Sequence, residues 1–81
     1  MHEELRIREK RVVGTKQVLR AIDDGSAKMV FLGKDADGFI FHRINGLCEA
    51  KSIPLTLVDT MEELGNLCMV KVPTAAVALL N

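Results

Sequence analysis

The chain has 81 residues, a formal net charge of zero, 48% hydrophobic residues and two cysteines. That length gives one domain near the lower limit for folding without disulfides or metal, and the apolar fraction is enough for a single core. A neutral chain lacks the long-range field of a protein that coats nucleic acid nonspecifically, so any polyanion partner has to be held at one confined site.

In chain order, residues 3–9 fit a short opening helix and residues 11–13 a brief strand. Gly14 permits a turn, and Thr15 is the expected N-cap of a helix reaching Asp24, with Val18, Leu19 and Ile22 on its inner stripe and Gly25 as its stop. MVFL at 29–32 is a continuous apolar run of the kind found in strands covered on both faces. GKDADG is a loop, and Asp37 is the expected N-cap of a helix burying Ile40, Ile44, Leu47 and Cys48 before Pro54. LTLV (55–58) is the next strand. Thr60 and Glu63 form a capping box that opens a short helix presenting Leu64, Leu67 and Cys68, and AAVALL (75–80) is the last strand. Strands and helices alternate, so the class is α/β with helices on both sides of a small sheet.

Several chemistries fail on spacing. KDADG with Gly38 at the sixth place of a calcium loop puts Gly33 and Ile44 at the first and twelfth, where oxygen ligands are needed. No G-x-G-x-x-G or Walker spacing is present, and neither His2 nor His42 has a neighbouring Ser, Cys or Asp that suggests a triad. Cys48 and Cys68 occupy apolar positions of helical patterns without a C-x-x-C, which predicts buried, reduced thiols. Phe31, Phe39 and Phe41 fall in or beside core patterns, so no aromatic base-stacking sheet is expected. No enzyme, metal or cofactor is expected. No apolar run approaches the roughly 20 residues of a membrane span, and MHEELRIREK is too charged for a signal peptide. A single domain over residues 1–81, cytoplasmic and away from membranes, is the expectation.

Charge is unevenly spread. From Arg6 to Arg20 there are six basic residues and one acid, Glu9. Within that stretch, V-V-G-T-K-Q-V-L-R places a lysine in the first turn of a helix, where the positive end of the macrodipole favours carboxylates. Lys16 and Arg20 are four apart and Gln17 and Arg20 three apart, so the three side chains share one surface with the free N–H groups of the helix start. An ordinary hydrophilic helix face and a site for phosphates and base edges both fit that arrangement.

A resemblance bears on the choice. GTKQVLRAIDDGSAKMVF, KDAD, LCEAKSIPLTLV, ELGNLC and VPTAAVALL, in that order, resemble the L7Ae/L30e kink-turn-binding family of ribosomal and ribonucleoprotein components, most closely its short bacterial YbxF-type members. The resemblance implies a three-layer α-β-α sandwich with a four-stranded mixed sheet, ribosomal L30e-like, and a non-enzymatic protein that recognises kink-turn RNA as a monomer, with the ribosome as a candidate setting. The family motif G-T-N-E-x-x-K maps onto Gly14, Thr15, Lys16, Gln17 and Arg20. The loop after the last helix, which packs apolar side chains on an extruded nucleotide, maps onto Val70, Lys71, Val72 and Pro73. A protein-interaction or regulatory module of the same fold is the alternative.

Overall fold

A strand with apolar side chains on both faces must be covered twice, and the MVFL run is. The computed structural model describes residues 3–81, so the expectation for His2 lies outside the described residues. Strands β1 (Arg11–Val13), β2 (Ala27–Gly33), β3 (Leu55–Val58) and β4 (Ala76–Leu80) form one sheet in the order β1-β4-β2-β3. β4 is antiparallel to both β1 and β2, and β2 is parallel to β3. Val30 and Leu32 of β2, with Ala76 and Ala78 of β4, enter a core closed by Val18 and Ile22 of helix α1 (Thr15–Asp23) and Ile44 and Cys48 of helix α2 (Gly38–Ala50). Phe31, Val77 and Leu79 point to the opposite face, where Leu64 of helix α3 (Met61–Leu67), its C-cap Cys68 and the N-terminal Leu5 cover them. The period of two in β2 and β4 thus divides the interior into two cores, and the result is the expected α-β-α sandwich on a mixed four-stranded sheet.

The opening segment differs from the single short helix expected. It forms two 3-10 turns, Glu3–Arg6 and Arg8–Lys10, separated by an extended Ile7. Ile7 donates to the Glu4 carbonyl and Lys10 to the Ile7 carbonyl, the tight i to i+3 pattern that suits short, charged pieces. Leu5 supplies the one fully buried anchor of that segment.

Two further expectations are corrected. Thr15 is the first residue of α1, and its N-cap is Gly14, whose φ of 104° lies in the region that favours glycine. Phe39 is 75% exposed, because Asp37 starts α2 at a phase that turns Ile40 and Ile44 inward and Phe39 outward. Both cysteines are free and buried as predicted. Burial pushes each thiol above its ordinary range, and for Cys68 the nearby Arg11 partly opposes the shift.

Candidate nucleic-acid interface

The three α-helices begin in different ways. At α2 the Asp37 carboxylate accepts from the N–H groups of Phe39 (2.9 Å) and Ile40 (3.4 Å), and at α3 the Thr60 hydroxyl accepts from the Glu63 N–H at 3.0 Å with Glu62 and Glu63 in the first turn. α1 has neither device. Its N-cap is a glycine without a side chain, and its first turn holds no acid. The first intrahelical donor is Val18, to the Gly14 carbonyl at 2.9 Å, so the N–H groups of Thr15, Lys16 and Gln17 precede the ladder. Lys16, Gln17 and Arg20 are all exposed around this start. The positive end of α1 therefore carries added positive charge, an arrangement disfavoured in water and favourable to an anion.

The sheet brings a second segment to the same end of the molecule. β1 and β2 both run against β4, so α1 and α2 start where β4 begins. There the Gly14 N–H donates to the Ala76 carbonyl at 3.0 Å and the Gly33 N–H to the Ala75 carbonyl at 2.9 Å, fixing the end of the loop that follows α3. That loop is held from three sides. The Thr74 N–H donates to the Met61 carbonyl at 3.0 Å, the Val70 N–H to the Gly65 carbonyl at 3.0 Å, and the Arg11 guanidinium to the Cys68 carbonyl at 3.2 Å. Val70 tucks against the core below α3, whereas Lys71, Val72 and Pro73 are exposed, Val72 by 64%. An apolar side chain is thus displayed at the sheet end from which the basic helix start emerges.

The predicted residues Gly14, Thr15, Lys16, Gln17 and Arg20 cluster at the α1 start, and Lys71, Val72 and Pro73 form the projecting loop, with Val70 as its root rather than its surface. Sequence reasoning missed the supports. Arg11 ties β1 to the end of α3, and Arg6 donates to the Met69 sulfur at 3.1 Å, so two of the six clustered cations brace the loop. Gly65 was likewise unmarked: a Cβ there would stand 2.3 Å from the Val72 carbonyl oxygen. Among the described residues no group of His, Cys, Asp and Glu could hold a metal, and no helix is long and apolar enough to cross a membrane.

This arrangement defines a three-layer α/β domain with a basic helix start beside an apolar loop. The model of the ribosomal protein L7Ae/L30e/S12e/Gadd45 family matches residues 2–81, and the chain belongs to that family. It is 40% identical over 70 residues to the RNA-binding protein YbxF of Geobacillus stearothermophilus, an alignment covering 86% of this chain and 85% of the relative. It is 41% identical over 69 residues to the RNA-binding protein TTE2299 of Caldanaerobacter subterraneus subsp. tengcongensis, covering 85% and 84%. The structure of the Giardia lamblia 15.5kD RNA binding protein superposes with a TM-score of 0.88 at 25% identity, over 99% of this chain and 68% of that one.

Proposed function

We propose that the chain is a non-enzymatic RNA-binding protein that recognises a kink-turn, in a cytoplasmic and ribosome-associated setting, as a monomer. The observation that carries this reading is the start of α1, which lacks both a capping side chain and an acid and instead displays Lys16, Gln17 and Arg20. Family membership and the names of the relatives agree with it.

In this reading Lys16 and Arg20 meet phosphates, and the Gln17 amide faces the edges of tandem sheared G·A pairs. Val72 and Pro73 pack on a base extruded from the loop of the RNA. A-form helices hide base edges in a deep, narrow major groove, so sequence readout needs a distorted duplex with splayed bases, which a kink-turn provides. An amide in place of a carboxylate keeps both a donor and an acceptor but gives up charge-assisted bonding to guanine donors.

Titration of a kink-turn oligonucleotide against a control with its G·A pairs replaced by Watson–Crick pairs tests the proposal. Tight binding to the first and at least tenfold weaker binding to the second is expected, and equal affinity for both would refute kink-turn recognition. Co-sedimentation with ribosomes in cell extract tests the setting.

A further inference from the structure

α1 and α2 pack side by side on one face of the sheet, and between them lies an open groove of about 410 Å³. Arg20 borders it from α1, Arg43 from α2 and Lys51 from the C-cap of α2, and Leu19, Ile22, Leu47 and the acid Asp23 complete its lining. All three cations are exposed, and among the described residues none of them makes an ion pair. Asp24 is held low first by its hydrogen bonds with Ser26 and only weakly by the Arg20 charge. Phe39, 75% exposed, stands four residues before Arg43 on α2, so the two side chains are neighbours on the helix surface, Phe39 just outside the groove's lining. Phe39 thus stands one helical turn from the groove's Arg43, and Lys51, the C-cap of α2, lies about 12 Å further along the axis from Arg43.

We propose that this groove is a second RNA contact. It takes a single-stranded segment leaving the kink-turn, with phosphates over Arg20, Arg43 and Lys51 and one base stacked on Phe39. The inference rests on the function proposed above, because Arg20 belongs to both surfaces and makes them continuous. A cationic track beside an exposed aromatic ring is the arrangement that binds single strands without reading sequence, since every base offers a π-face and every nucleotide a phosphate. A duplex, with its bases stacked inside, would leave Phe39 unused. An acidic protein would satisfy the cations but gains nothing from their continuity with the α1 start.

The experiment compares a blunt, minimal kink-turn RNA with the same RNA carrying a single-stranded overhang of about six uridines at either end. Three proteins are titrated at several salt concentrations: the unaltered chain, the Arg43→Gln/Lys51→Gln pair, and Phe39→Ala. The unaltered chain should bind one overhang RNA at least about fivefold more tightly than the blunt RNA. The Arg43→Gln/Lys51→Gln pair should erase that gain and reduce the slope of log affinity against log salt on the overhang RNA by about 1.4, the counterions of two single-strand phosphates. Phe39→Ala should erase part of the gain with the slope unchanged, and neither variant should alter binding to the blunt RNA by more than about twofold. Equal affinity of the unaltered chain for blunt and overhang RNAs, or equal weakening of both RNAs by the variants, overturns the groove inference while leaving kink-turn binding intact. A groove that serves a protein partner gives that same result. Failure of the unaltered chain to bind the blunt RNA is the separate result that removes the proposed function, and this inference with it.

Discussion

Gly65 in α3 lies directly beneath the Val72 carbonyl: a Cβ at residue 65 would stand 2.3 Å from that oxygen and 3.3 Å from its carbon. The exposed loop is therefore seated on bare helix backbone. Alanine normally favours a helix over glycine by about 1 kcal/mol. Here the contact is with main chain, which cannot swing aside as a side chain would. Gly65→Ala should lower unfolding free energy by about 1 to 3 kcal/mol, as overpacking does, and should weaken kink-turn binding beyond that loss by lifting Val72. Denaturant unfolding and RNA titration of the same variant check both effects.

The α1 start predicts a separation of binding from stability. Gln17→Ala and Arg20→Ala should each change unfolding free energy by at most about 0.5 kcal/mol, because both side chains are exposed and outside the core. Together they should cost at least about tenfold in kink-turn affinity, since charged and base-edge contacts are each worth roughly 1 to 3 kcal/mol. A variant that melted early while still binding would assign these residues to the fold instead.

The caps give the opposite pattern. Asp37→Ala removes the acceptor for two N–H groups at α2 and should cost about 1 kcal/mol of stability. Thr15→Ala should cost far less, because no side chain caps α1. Thermal melts of the two variants decide this, and equal losses would restore Thr15 as a cap.

Much of this architecture was legible in the chain. Asp37 and Thr60 cap where their spacing to the apolar stripe placed them, and the unbroken MVFL run disclosed a strand covered on both faces. Thr15 misled because threonine before an amphipathic run reads as a cap, whereas the positive φ of Gly14, 104°, which the absence of a Cβ permits, makes it the cap and moves the boundary back by one residue. Phe39 misled because hydrophobicity alone carries no phase: its position relative to Ile40 and Ile44, not its type, turns it outward. The basic cluster was visible as charge, but its division of labour was not. That Arg6 and Arg11 brace the loop while Lys16 and Arg20 remain free depends on contacts between residues more than fifty apart.

The buried thiols give a pH dependence with a definite sign. Burial raises both Cys48 and Cys68 in the folded chain. Above the ordinary thiol value of about 8.5 the unfolded chain loses protons that the folded chain keeps, so stability present below that pH is lost as pH rises past it. Unfolding free energy should fall between neutral pH and pH of about 10, and a thiol reagent at neutral pH should label neither cysteine until denaturant is added. Rapid labelling of the native protein would contradict the burial of both.

The last prediction uses Val72 and Lys16, whose chemistries separate under salt. Val72 is 64% exposed at the tip of a braced loop, so replacing it should leave stability within about 0.5 kcal/mol. If it packs on an extruded base, Val72→Asp removes apolar contact and places a negative charge near phosphates, and binding should weaken by at least about tenfold, the effect of losing a contact worth 1 to 3 kcal/mol. Val72→Leu keeps the contact and should bind within about twofold of the unaltered chain. Lys16→Ala should also weaken binding, but by a different route: one phosphate contact fewer releases fewer counterions, so the slope of log affinity against log salt should become shallower by about 0.7 to 0.9. Val72→Leu should leave that slope unchanged. Titration of one kink-turn RNA with all three variants at several salt concentrations measures each effect. Equal slopes for the unaltered chain and Lys16→Ala would show that Lys16 meets no phosphate, and equal binding by Val72→Asp and Val72→Leu would show that the loop meets no base.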